Sequence, residues 1–166
     1  SGEILSKIMM EDTLTNLVIP RFFTVYGPYG RPDMSILRFI HWIIEEKEVL
    51  VLGDGEQMRS FTYIDDVVEA LLLMMDYKES NTFNIGSNTT VSLNEVIKTI
   101  EKYSGKKANI KNEERAYKDP DVVRPNLENI SNELNWKPSI NIEAGIEKTV
   151  SWYSENKEFL NDIVYI

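Results

Sequence analysis

The chain has 166 residues and a formal net charge of -9, with no cysteine and a single histidine. That length suits one domain with a real core, or half of something larger. The acidic balance leaves no basic stripe for a phosphate backbone, and the lack of cysteine excludes a disulfide scaffold, a thiolate metal site and a cysteine nucleophile. The longest apolar stretch, Ala70 to Met75, is far below the roughly 20 residues that span a bilayer, and the acidic segment from Ser1 to Asp12 lacks the basic start of a signal peptide. The expectation is a soluble, cytoplasmic protein with neither a membrane nor a nucleic-acid partner.

Ile4, Leu5, Ile8 and Met9 recur at helical spacing, and Leu17-Val18-Ile19 leading into Phe22-Phe23 has the length of a strand. Gly27-Pro28 and Gly30-Arg31-Pro32 punctuate a loop, after which Ile36, Phe39, Ile40, Ile43 and Ile44 mark one helix face. Val49 to Leu52 reads as a buried strand stopped by Gly53-Asp54-Gly55, and Phe61 to Ile64 as another extended piece. Asp65 is the expected N-cap of an almost wholly apolar helix running to about Met75, with Asp66 favoured in its first turn by the helix dipole. A helix of that composition is expected to be buried.

Thr82 to Gly86 forms a strand and turn, and Ser92 with Glu95 makes a capping box ahead of Val96, Ile97 and Ile100. Beyond Gly105 the chain is more polar. Ala108 to Ile110 is a weak strand, Pro120 and Pro125 lie in a loop, and helices are expected near Leu127 to Leu134 and Ile142 to Tyr153. There is no internal repeat. Strands alternating with helices predict an α/β architecture with at least part of a parallel sheet. No strand, Gly-x-Gly-x-x-Gly and helix unit occurs, so the dinucleotide fingerprint is missing from this chain.

Two stretches stand out: Arg21-Phe22-Phe23-Thr24-Val25-Tyr26-Gly27-Pro28-Tyr29-Gly30-Arg31-Pro32-Asp33-Met34, and Gly53-Asp54-Gly55-Glu56-Gln57-Met58-Arg59-Ser60-Phe61-Thr62-Tyr63-Ile64-Asp65-Asp66. A loop beyond an apolar strand is where ligands sit in open α/β sheets. Read alone, its glycines and prolines are turn formers, Phe22 and Phe23 are core aromatics, and Arg59 is a solvated surface residue. Together the two stretches resemble the NAD-dependent nucleotide-sugar epimerase and dehydratase family, the extended short-chain dehydrogenases. The run from Thr24 to Met34 is similar to the UDP-glucuronate 4-epimerase branch. Ser60 departs from the usual Asp, while Glu133-Leu134-Asn135-Trp136-Lys137-Pro138 reproduces a family motif near the end.

The resemblance implies the C-terminal part of a Rossmann-like NAD(P)-binding fold plus a small mixed α/β substrate-binding domain. Residues 1–27 would end the first, and 28–166 would form mostly the second, with returning Rossmann elements at about 62–87. It implies that Thr24 and Arg31 meet the carboxylate of a sugar, a fit that a planar guanidinium and a hydroxyl make physically sound. Arg59 would pair with the nucleotide diphosphate, together with a second arginine, for which Arg115 is chosen and Lys118 and Arg124 are rivals. Leu50, Val51 and Leu52 would lie beside the uracil, mostly through backbone groups, and Phe22 would pass the nicotinamide. His41 reads as a packing or surface residue, Asp65 and Asp66 as helix caps, and no metal site is expected.

The implied chemistry is removal of hydride from C4 of UDP-glucuronate or UDP-galacturonate by NAD, turnover of the keto-sugar, and return of hydride to the opposite face. The resemblance places the catalytic Tyr-x-x-x-Lys pair and the Gly-rich turn upstream of Ser1. No catalytic residue is therefore expected in this chain, which alone is expected neither to hold NAD nor to turn over sugar. A UDP-glucose 4-epimerase and a nucleotide-sugar 4,6-dehydratase are the enzyme alternatives. The first carries Asn at the place of Thr24, and the second Asn-Asn-Tyr-Gly-Pro after the strand. A non-catalytic UDP-sugar-binding module is the alternative from another class. Family members are commonly homodimers, which leaves the oligomeric state of this piece open.

Overall fold

The computed structural model describes residues 2–11, 13, 15–115 and 120–157. The chain opens with helix α1 (Gly2–Met10) and strand β1 (Val18–Phe22), then β2 (Thr24–Tyr26) and α2 (Ser35–Ile44). There follow β3 (Glu48–Leu52), β4 (Met58–Arg59), β5 (Phe61–Tyr63), α3 (Ile64–Met75) and β6 (Asn81–Ile85). The last third holds β7 (Val91–Ser92), α4 (Leu93–Ser104), β8 (Asn109–Glu113), β9 (Val122–Val123), α5 (Glu128–Leu134) and α6 (Ile142–Glu155).

β1 pairs with β6, β2 with β5, and β3 with β8, all in parallel. β4 lies between β7, antiparallel, and β9, parallel. Parallel neighbours need long crossovers, and the helices between them supply these while covering sheet faces. This is the mixed α/β, Rossmann-like arrangement expected from the sequence.

Two apolar cores organise the chain. The larger gathers α2, β3, α4 and α6 around Phe39, Ile40, Ile43, Val49, Ile97, Ile100 and Ile146, all essentially inaccessible. Isoleucines of α2 three and four residues apart supply one wall of it, as helical periodicity requires. The capping box of α4 is present: the Ser92 hydroxyl accepts from the Glu95 amide at 3.1 Å, and the Glu95 carboxylate accepts from the Ser92 amide at 2.8 Å. The smaller core packs Val67, Ala70 and Met74 of α3 with Phe83, Ile85, Leu127, Ile130 and Trp136.

Two expectations about α3 are corrected. It begins at Ile64 with Tyr63, not Asp65, at the N-cap position, and no side chain caps it. Nor is it buried all round: Val68, Leu72, Leu73 and Met75 are exposed, with Met75 at 78%. Uniform apolar composition hides the period, and only the stripe through Val67, Ala70 and Met74 faces protein. Asp66 has a role beyond the helix dipole. Its buried carboxylate accepts from the Ser139 amide (3.0 Å), the Ser139 hydroxyl (2.8 Å) and the Ile140 amide (3.1 Å). Its backbone carbonyl accepts from the Trp136 indole at 3.2 Å. One residue therefore fastens the start of α3 to the segment leading into α6.

Candidate sugar-nucleotide site

The first part of the site arises because one extended run serves two ladders. β1 follows β6 as far as Phe22, and the Phe23 amide still donates to the Ile85 carbonyl at 2.9 Å. From Thr24 the chain instead follows β5, with Thr24 in register with Phe61. Where strands part company, a crevice opens beyond their carboxyl ends. A cleft of about 530 Å³ lies there, lined by Phe22, Phe23, Thr24, Val25, Gly30, Arg31 and Met34. Thr24 and Arg31, seven positions apart in sequence, thus share one wall.

Phe22 is 52% exposed on this cleft. Phe23, expected as a core aromatic, is only half-buried and lines it too. Its place between the ladders keeps it out of the core. Arg31 holds Asp33 side-on, Nε to Oδ1 at 3.0 Å and Nη2 to Oδ2 at 2.6 Å. That hydrogen bond keeps the Asp33 carboxyl below the usual carboxylate range.

A second group forms where β3 ends. Val51 is buried, Leu50 half-buried and Leu52 42% exposed, so the strand turns one side chain inward and offers its last carbonyl outward. The Leu52 carbonyl accepts from Gln57 Nε2 and from Arg115 Nε, each at 3.1 Å. Gly53 follows with a φ of 80°, and a Cβ there would stand 2.6 Å from Arg115 Nε. Only glycine lets the guanidinium lie against the backbone. Arg115 makes no ion pair among the described residues.

Arg59 Nη1 donates to the carbonyls of Met58 (2.8 Å) and Asp121 (3.4 Å). It is in register with Val123, which places Arg124 next along the neighbouring strand. Arg124, however, lines another hollow of about 600 Å³ with Asn88, Asn126 and Lys137, among others. Arg115 therefore sits against Leu52 and Gly53 while its rival Arg124 borders a different hollow. Lys118 lies outside the described residues. Ser60, the residue just before Phe61, the register partner of Thr24, is buried, exchanging bonds with Ser87 through its hydroxyl at 3.0 and 2.9 Å.

The sequence holds two Tyr-x-x-x-Lys spacings that its reading missed, Tyr103 to Lys107 and Tyr153 to Lys157. Both are engaged away from the cleft. Tyr103 bonds Glu143 at 3.2 Å and Lys107 pairs with Glu101 at 3.3 Å. Buried Tyr153 meets His41 Nδ1 at 2.6 Å, and Lys157 pairs with Glu45 at 2.9 Å. Among the described residues no cluster of acidic, histidine or cysteine side chains could hold a metal ion, and no helix is long and apolar enough to cross a membrane.

His41 is a packing residue with a defined protonation state. Lys47 Nζ, a donor only, lies 2.9 Å from Nε2, so Nε2 accepts and Nδ1 carries the proton toward Tyr153. Burial, then the Lys47 charge, lowers its pKa below the usual value of about 6.5. Because the folded pKa is the depressed one, its stabilising contribution is complete above about pH 6.5 and is lost as pH falls through the folded value. Urea midpoints are expected to drop between pH 7.5 and 5 in the native chain, and to drop less in His41→Gln. Equal drops in both would contradict this.

The NAD dependent epimerase/dehydratase family model matches residues 1–86. The chain belongs to this family. It is 40% identical over 149 residues to a UDP-glucuronate 4-epimerase of Thermodesulfobacterium geofontis, covering 89% of this chain and 46% of that protein. The Bacillus cereus UDP-glucuronic acid 4-epimerase, solved with UDP-glucuronic acid and NAD, superposes with a TM-score of 0.87 at 32% identity, over 93% of this chain and 50% of that one. The Thermotoga maritima UDP-glucose 4-epimerase, solved with UDP-glucose, gives 0.87 at 25% identity, covering 93% and 51%. This member of the epimerase/dehydratase family spans about half the length of the relatives it matches. Among its described residues Phe22 offers an exposed aromatic face, and no glycine-rich turn opens a helix.

Proposed function

We propose that the chain supplies the sugar-nucleotide-binding part of a UDP-glucuronate 4-epimerase, an NAD-dependent enzyme acting on UDP-glucuronate and UDP-galacturonate by oxidation and reduction at C4. The observation that carries this reading is the placement of Thr24 and Arg31 on one cleft at the carboxyl ends of β1 and β2. A carboxylated sugar is the ligand that uses both, taking the guanidinium fork with its two oxygens and the hydroxyl as a further donor. Arg59 and Arg115 serve the diphosphate, and Leu50 to Leu52 flank the base. What supports Arg59 in that role is its place two residues before Phe61, the register partner of Thr24. The smaller core draws mainly on the proposed Rossmann elements at 1–27 and about 62–87, and the larger mainly on the proposed substrate part, although Tyr26 and Tyr63 join the larger and Leu127, Ile130 and Trp136 the smaller.

The test is calorimetric. The chain is expected to bind UDP-glucuronate more tightly than UDP-glucose, and Arg31→Ala to remove most of that preference, about tenfold. Arg59→Ala is expected to weaken both ligands alike. Equal affinity of the native chain for the two sugars would favour the UDP-glucose 4-epimerase reading instead. Alone, the chain is proposed to be inactive, and conversion of UDP-glucuronate by the purified chain with added NAD would refute that.

A further inference from the structure

Asp33 occupies the guanidinium edge that a ligand carboxylate would take. Its two oxygens engage Nε and Nη2 of Arg31 at 3.0 and 2.6 Å, the side-on bidentate geometry by which arginine recognises a carboxylate. Pro32, the one residue between them, fixes its own φ and so holds the acid beside the base at little entropic cost. The pair is open to water, with side-chain exposures of 76% and 45%, and can exchange partners readily. On the same cleft the Thr24 hydroxyl makes no hydrogen bond among the described residues. One of the two ligand-facing groups is thus unengaged and the other is covered by a carboxylate belonging to the chain itself.

We propose that Asp33 is a built-in competitor for Arg31 and sets how strongly the cleft selects carboxylated sugars. The inference rests on the reading in which Arg31 meets the sugar carboxylate. A carboxylated ligand must displace Asp33, so its gain from Arg31 is reduced by the exposed ion pair it breaks. A neutral sugar leaves the Arg31–Asp33 pair intact and gains nothing from it. Asp33 therefore damps affinity for one ligand class only, and it keeps a lone cation from facing an empty cleft and collecting other anions.

The test uses the 166-residue chain, labelled for NMR, with UDP-glucuronate and UDP-glucose as probes. UDP-glucuronate is expected to move the Arg31 Nε and Asp33 carboxyl resonances together, while UDP-glucose moves neither. Asp33→Asn is expected to tighten UDP-glucuronate by about threefold and leave UDP-glucose unchanged, the size being that of one exposed ion pair. In the Arg31→Ala background the same substitution should have no effect on either ligand. If the native chain prefers UDP-glucuronate yet Asp33→Asn leaves that preference unchanged or lowers it, the competitor role is overturned and the proposed function stands. If the native chain binds both sugars alike, or neither, the proposed function falls and this inference falls with it. Far-UV spectra of both variants guard against misfolding.

Discussion

Asp66→Ala is expected to lower the stability of the chain by about 3 to 5 kcal/mol. Three donors converge on its buried carboxylate, two of them backbone amides that cannot turn away, at 3.0, 2.8 and 3.1 Å. Removing the acceptor leaves those donors unpaired in the interior, and each stranded group costs about 1–3 kcal/mol. The loss also frees the segment that delivers Trp136, whose indole is 2% exposed and bonded to the Asp66 carbonyl. Against a typical total of about 5–15 kcal/mol, this brings the fold close to failure. Urea unfolding followed by tryptophan fluorescence measures it. Asp66→Asn, which keeps one acceptor oxygen, should fall between the two. A change below about 1 kcal/mol for Asp66→Ala would show that water replaces the lost acceptor.

Gly145→Ala is expected to destabilise, reversing the usual sign. In a helix interior that change ordinarily gains about 1 kcal/mol. Here α6 runs so close to the aromatic cluster that a Cβ at this position would overlap the Tyr26 hydroxyl outright, and would stand 2.7 Å from Tyr26 Cζ and 3.0 Å from Tyr63 Cδ2. Tyr26 cannot yield easily, because it is 5% exposed and packs edge-on against Phe61 and Tyr63, with ring centres 6.3 and 5.6 Å apart. Overpacking of this kind costs about 1–3 kcal/mol. The partner change Tyr26→Phe removes the most crowded atom and loses only a long bond to the Ile142 carbonyl at 3.4 Å. The double variant should therefore recover much of the loss, a coupling readable in a mutant cycle. Because Tyr26 closes β2, two residues after Thr24, the single variant should also weaken UDP-sugar binding.

These two sites show where the sequence speaks and where it does not. Helices α2 and α4 are legible because their apolar positions repeat at three and four residues and a capping box marks the start of α4. β3 is legible as a short apolar run before Gly53. The clasp at Asp66 is not, because its partners at Ser139 and Ile140 lie more than seventy residues away and neither end carries a local signal. Strands of two residues, such as β4, β7 and β9, have too few positions for any period, and only tertiary pairing defines them. The split of one apparent strand into β1 and β2 is hidden for the same reason: Leu17 to Phe23 reads as a single apolar run, and the switch of partner at Phe23 is a property of β5 and β6. In the candidate site, motif resemblance pointed to Thr24, Arg31 and Arg59 by type and spacing. What it did not reveal is that Asp33 covers Arg31, that Phe23 joins the cleft, or that Arg115 is held by a backbone carbonyl.

The most direct test of the account is a crystal structure of the chain with UDP-glucuronate. The sugar carboxylate is expected between the Thr24 hydroxyl and the Arg31 guanidinium, with the diphosphate toward Arg59 and Arg115. A carboxylate pointing into solvent, or a nucleotide seated in the hollow beside Arg124, would contradict it.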